Sequence, residues 1–377
     1  MKKINYIFIL FAALFCSCNE IPQPGSETEI TLPTNPYIYF DAAINSRASL
    51  VSGSVLERNF AVYGYTYAFN NNWETYRVTA KPNVFDNVPQ TVTHDSGSYS
   101  YTPVKEWQGG KYTFFACSPT NLQFSDKDTE GTPYLTYQPD LSDPGLHVDI
   151  MTAMFEDTSL SSSPYVYFDF YHRLSAVDVV ALNFYQHSYQ DPNAANNVIT
   201  ESAIIDLVDL SLRFENIQYE KAKIYLDRRI PSVYTPMSNN TNPYYKFVNE
   251  EEGEDYLLSI NYNNDATLRP ITSKLKSSMI FIPQENTDLK VTTTISYKIR
   301  RPNGEYLSVT DEDGNIVTDA NDNPVTVFTQ TITTPFNQPL KEGSRYYIQM
   351  TFTSSAVSIN IITSEEWDEK PVDYEFE

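Results

Sequence analysis

Two residues stand out for the chemistry they invite. Cys18 closes the stretch LFCSC, residues 14–18, directly after Ser17. A thiol preceded by a small side chain is what a lipoprotein signal peptidase needs. The sulfur carries diacylglycerol, and the small residue fits the cleavage pocket. Cys16 would put Phe15 in that pocket, so Cys18 is the expected lipidation site. Arg47, in AAINSRASLV, is the only cation between Lys3 and Arg58. It is either an ordinary surface charge or an address read by another protein. Other chemistries find little support. His94, His147, His172 and His187 share no metal-ligand spacing with one another or with Cys. His172, beside Arg173 in an aromatic strand, reads as a packed structural histidine. There is no GxSxG, no HExxH and no phosphate-cradling glycine loop. Asp311, Asp313, Asn315, Asp319 and Asp322 alternate as Ca²⁺ ligands do, but the terminal Glu of the twelve-residue pattern is missing. An exposed hairpin tip with an Asp-Gly turn accounts for the same residues. No enzyme activity, cofactor or metal is expected.

The flanks set the context for both residues. Lys2 and Lys3 precede an apolar run, Ile4 to Phe15, that is too short to span a bilayer. Residues 1–17 read as a signal peptide. Residues 18–36, acidic and Pro-rich, read as a tether from a lipid anchor in the membrane to a folded body. Without the leader only Cys18 and Cys117 remain, so no disulfide framework is expected and a large core must do that work. Loss of Lys2 and Lys3 would take the formal charge from −22 to −24. Such a chain repels nucleic acid and anionic lipid surfaces, which excludes both as binding targets.

The elements that position these residues are strands. With 29 Tyr, 21 Phe, 23 Pro and 12 Gly, the composition favours strands joined by ordered loops. Alternating runs recur: YIYFDAAI at 37–44, then NFAVYGYTYAF, KYTFFACSP, YVYFDFYHRL, AVDVVALNF, DLSLRF, VTTTISYKI, YYIQMTFT and AVSINIIT. Their spacing predicts antiparallel β-sandwiches, most simply two: residues 37–180 and 181–377. Residues 200–209 carry a weak helical signal. The alternation Val208, Leu210, Leu212, Phe214 returns that region to strand. Asn303-Gly304 and Asp313-Gly314 mark turns.

Several fragments taken together carry a family likeness. They are the Cys18 lipobox, Arg47-Ala48, FAVYGYTY, YTPVKEWQGGKYTFFACSP (101–119), HRLSAV (172–177), MIFIPQ (279–284), and GSRYYIQMTF followed by EEWDE (365–369). In this order they resemble the fimbrillin-like family of type V pilus subunits of Gram-negative bacteria. The resemblance implies an all-β fold of two transthyretin-like sandwich domains and export as an outer-membrane lipoprotein. It also implies an arginine-specific surface protease that cuts after Arg47, leaving Ala48 as the new N-terminus. The small polar neighbours Asn45, Ser46 and Ser49 suit a protease cleft; a linker charge would look the same. Removing 37–47 would open an apolar groove that a strand from another pilus subunit could fill, head to tail. Within 355–377, Val357, Ile359 and Ile361 alternate as a donor strand would, or as the last strand of their own domain. The alternative function is a monomeric surface lipoprotein that binds glycans or a host protein; a carboxylate-based hydrolase ranks third.

Overall fold

The computed structural model describes residues 36–44, 54–56, 58–122, 124–125, 131–160, 164–191, 193–194, 197–238, 242–248, 256–262, 269–270 and 278–364. Cys18, Arg47 and Ala48 lie outside these residues. So does the stretch from 365 to 377.

In the first half the strands are β1 (Tyr39–Ile44), β2 (Ser54–Val55), β3 (Phe60–Tyr67), β4 (Gln90–Asp95), β5 (Ser98–Ser100) and β6 (Lys111–Ser118). They continue with β7 (Phe124–Ser125), β8 (Tyr134–Tyr137), β9 (Met151–Thr158) and β10 (Tyr165–His172). Eight of them form one sheet in the order β2-β1-β10-β9-β6-β3-β4-β5. Its central strands are apolar on both faces, and period-two alternation divides their side chains between two cores. On β3, Phe60 and Val62 enter one core while Tyr63, Tyr65 and Tyr67 enter the other. On β6, Tyr112, Phe114 and Ala116 go one way and Phe115 and Cys117 the other. Gly64 is needed at a close approach: a Cβ there would sit 2.7 Å from the Val84 Cβ and 3.0 Å from the Phe85 and Phe114 rings. One helical turn, α1 (Trp73–Tyr76), is started by Asn72 in a capping box with Thr75 and buries Trp73 under β3 and β6.

The second half runs β11 (Ser175–Asn183), β12 (Gln186–Gln190), β13 (Val198–Ser202), β14 (Ile204–Glu215), β15 (Tyr219–Tyr225), β16 (Val233–Pro236) and β17 (Tyr244–Val248). It ends with β18 (Leu258–Ile260), β19 (Arg269–Pro270), β20 (Met279–Phe281), β21 (Lys290–Arg300), β22 (Phe328–Pro335), β23 (Arg345–Phe352) and β24 (Val357–Ser364). The sheet β19-β11-β23-β24 faces the sheet β17-β14-β21-β22 across one core. β11 supplies Val177, Val179 and Ala181 to that core, β14 supplies Leu210, Leu212 and Phe214, and β21 supplies Val291, Ile295 and Ile299. The molecule is therefore all-β, and the region 200–209 is strand. A division after residue 180 would cut β11, which pairs with β23 along Ala176–Asn183. A short link, Arg173 and Leu174, separates β11 from β10. A β-bulge between Leu207 and Asp209 shifts the register of β14, so Ile205 and Leu207 enter the core while Val208 does not.

The halves are joined by more than that link. β8 of the first half pairs with β15 of the second. A shared core gathers Tyr65, Trp73, Phe115, Ile150, Ile224 and Ile280. Arg173 lies at the crossing and is fully buried. Its guanidinium donates to Glu342 at 2.7 Å, Thr152 Oγ1 at 2.9 Å, the Tyr225 carbonyl at 2.7 Å and Ser232 at 3.3 Å. A planar fork of fixed donors can serve four partners in this way, where a lysine could not.

The β21–β22 hairpin ends in a tip, residues 301–327, built on an eight-residue repeat: VTDEDGNI at 309–316 and VTDANDNP at 317–324. Asp311 accepts the amides of Asp313 and Asn315, and Asp319 those of Asn321 and Asn323. Those amides hold both carboxyls below the usual range. The Val309, Val317 and Val325 backbones close a ring in which each amide donates to the next carbonyl. The acidic spacing thus serves the turns themselves.

Candidate functional site

Residues 36–44 enter their sheet in parallel register, as β11 does beside β23 in the second half. Ile38, Phe40, Ala42 and Ile44 alternate inward and are all 5% exposed or less. β1 runs parallel to β10, in register from Tyr39 opposite Tyr165 to Ile44 opposite Phe170. Within this sheet the other pairings to β3, β6, β9 and β10 are antiparallel. A parallel pair cannot be closed by a tight hairpin, so β1 and β10 come together from distant parts of the chain. The opposite edge of the segment is held piecemeal. The Ile38 amide donates to the Lys105 carbonyl at 2.9 Å, and the Trp107 amide donates to the Pro36 carbonyl at 2.7 Å. The two residues of β2 meet Ala43 and Ile44. Between these contacts two phenols take the place of a strand. Tyr101 donates to the Ile38 carbonyl at 3.0 Å and Tyr99 reaches the Ala42 carbonyl at 3.3 Å; Tyr99 also donates to the Leu56 carbonyl. Burial pushes the Tyr101 phenol up, so it stays a donor across the ordinary pH range.

The side chains under this segment are mostly rings. Phe40 packs on Tyr101 at 5.2 Å, Phe114 at 5.6 Å, Phe168 at 5.7 Å and Phe85 at 6.2 Å. Phe60 closes the far end against Phe170 at 5.3 Å and Tyr99 at 5.4 Å. Tyr101, Trp107, Tyr112 and Phe114, all from the motif YTPVKEWQGGKYTFFACSP, belong to this one core. The sequence suggested a removable plug at 37–44 but did not identify Tyr99 and Tyr101 as the hydroxyls that grip it. Their alternation in SYSYTP, with both rings on one face of a strand, was the available signal.

The other expected site residues lie apart. Val357 and Ile359 are buried in the core between the second-half sheets, and Ile361 is half-buried against it. β24 pairs with β23 from Val357 opposite Phe352 to Ser364 opposite Arg345. Among the described residues it is the outer strand of its sheet. His172 donates from Nδ1 to the Asp149 carboxylate at 2.9 Å. Although burial opposes it, His172 and Arg58 hold the Asp149 carboxyl below its usual range. Cys117 is a free, buried cysteine whose thiol burial pushes well up. Among the described residues no group of His, Cys, Asp and Glu is arranged to hold a metal ion.

No family model matches this chain, and no curated protein matches it. Solved structures do. A fimbrial protein from Bacteroides vulgatus shares 19% identity over 87% of this chain and 99% of its own, with a TM-score of 0.53. A candidate cell adhesion protein from Bacteroides ovatus shares 15% identity over 89% and 99%, with a TM-score of 0.47. A fimbrilin from Porphyromonas gingivalis shares 12% over 84% and 90%, with a TM-score of 0.36. The first of these shows that the chain has the fold of a fimbrial protein across nearly its whole length.

Proposed function

We propose that this chain is a fimbrillin-like subunit of a cell-surface pilus, exported as a lipoprotein on Cys18 and assembled by strand exchange after cleavage between Arg47 and Ala48. It is not an enzyme in this reading. The observation that carries it is the seat of residues 38–44: a strand parallel to β10 and remote from it in sequence, filling a core of aromatic rings immediately before Arg47. Removing it would strip the slot of three large apolar side chains and one small one, on the order of 5–10 kcal/mol of gross burial. It would also bare the edge of β10. A strand from a neighbouring subunit would restore both, and because donor and slot are different surfaces the contact propagates into a filament. Val357, Ile359 and Ile361 are the candidate donor strand that this chain offers to the slot of a different subunit. Their place on an outer strand is compatible with release, at the expense of two buried side chains.

N-terminal sequencing of the protein recovered from the cell surface tests this. Ala48 is the expected first residue of the assembled form. Recovery of lipidated Cys18 alone would point to an uncleaved anchor subunit or to the second reading, a monomeric surface lipoprotein that binds glycans or a host protein. That reading draws on Tyr37, just ahead of β1, and on Tyr165 and Tyr167 of β10, which are 40%, 56% and 50% exposed.

A further inference from the structure

The slot is filled by side chains of uneven size: Ile38, Phe40, Ala42, Ile44. The main-chain part of the grip is indifferent to sequence. The ladder with β10 and the Tyr99 and Tyr101 hydroxyls meet backbone atoms that any extended chain presents. Selection among incoming strands therefore has to come from the inward side chains.

Two positions make opposite demands. At position 40 four rings, Phe85, Tyr101, Phe114 and Phe168, surround the Phe40 ring. They are held by their own elements, so a small side chain there would leave a hole that cannot close. At position 42 the demand reverses. Ala42 lies opposite Phe168 in the register. Phe168 packs on Phe60 at 5.7 Å, and Phe60 on Tyr99 at 5.4 Å. The Tyr99 hydroxyl reaches back to the Ala42 carbonyl. A side chain larger than a methyl would have to drive into that ring cluster.

We infer that the slot accepts strands running parallel to β10 that carry an aromatic side chain followed two residues later by alanine or glycine, and that the partner supplying one is a different chain, since residues 355–377 of a second copy do not fit. This rests on the strand-exchange reading above. Within 355–377 no aromatic residue is followed two positions on by a small apolar one: Trp367 leads to Glu369 and Tyr374 to Phe376. With Ile359 in the place of Phe40, Ile361 would fall on the place of Ala42. The first would underfill its position and the second would overfill.

The test is peptide exchange into the full chain clipped after Arg47. Labelled peptides are incubated with the clipped protein, and bound label is read by gel filtration. The native peptide, residues 36–46, should enter. The same peptide with Phe40→Ala or Ala42→Phe should bind on the order of tenfold more weakly or worse. Peptides 355–365 and 368–377 should bind no better than these. If either substituted peptide matches the native one, or if 355–365 or 368–377 does, the size rule is overturned while the slot stands. If the native peptide itself does not enter, the strand-exchange reading falls, and the size rule with it.

Discussion

At the scale of single residues, Phe40 and Cys117 show how burial decides what a side chain can do. Phe40 touches four rings from four separate stretches of chain. Its truncation leaves a cavity whose walls cannot move together without disturbing β6, β10 and the segments around Phe85 and Tyr101. Phe40→Ala should therefore destabilise the protein by roughly 3–5 kcal/mol, measurable as a lowered urea midpoint with an unchanged slope. Cys117 sits in the shared core with no exposed surface. The thiolate is the reactive form, and burial disfavours it. In native buffer a thiol reagent should leave Cys117 unmodified; in denaturant it should react at once. Arg173 reads differently again. Nothing in HRLSAV tells a reader that the arginine is buried, because its partners Thr152, Tyr225, Ser232 and Glu342 come from four distant places.

At the scale of elements, much of the strand list was legible because period-two alternation records which face is buried. YVYFDFYH and VTTTISYKI are clear cases, with Val166, Phe168 and Phe170 inward on β10 and Val291, Ile295 and Tyr297 inward on β21. Alternation is silent on three things. It does not name the partner or its direction, so the parallel pairing of β1 with β10 had no trace in YIYFDAAI. It does not survive a bulge, which is why Val208 leaves the series that Leu210 continues. It also fails where both faces are covered, as along β11. The loop before β9 holds a further element-level feature. His147 donates from Nε2 to the Asp140 carbonyl at 2.6 Å, while its Nδ1 accepts the Ile280 amide of β20 at 2.7 Å. Tyr245 and Phe281 flank the ring edge-on. That arrangement requires a neutral imidazole. Burial lowers its pKa below 6.5, against the smaller opposing pull of Asp140 and Asp143. The folded value is depressed below the unfolded one, so this bridge contributes fully above about pH 6.5 and is lost as pH falls through the folded value. Unfolding free energy measured from pH 7.5 down to pH 5 should fall in the wild type. In His147→Gln, which cannot gain the charge, that part of the slope should be flattened.

At the scale of the whole molecule, the question is what a cut after Arg47 would change. β1 keeps every non-covalent contact when the chain behind it is severed: the β10 ladder, the Tyr99 and Tyr101 hydroxyls, the Lys105 and Trp107 backbone bonds and four inward side chains. Gross burial of about 5–10 kcal/mol sits against an association cost of about 4–15 kcal/mol at the standard state. The ladder and the preformed walls tilt that balance toward retention, because the slot is built around an occupant and collapses poorly without one. Cleavage alone should thus arm the molecule without opening it, and exchange should wait for a competing strand to peel β1 from one end. The prediction is that clipped protein, run on gel filtration in native buffer, carries the N-terminal fragment with the body and remains monomeric. Urea should release the fragment at a lower concentration than the one that unfolds the second-half sandwich, since β1 takes no part in that core. A fragment lost at once, leaving a folded and stable body, would mean that the walls close on their own. Residues 37–44 would then be dispensable to the fold, and the slot would have nothing to offer an incoming strand.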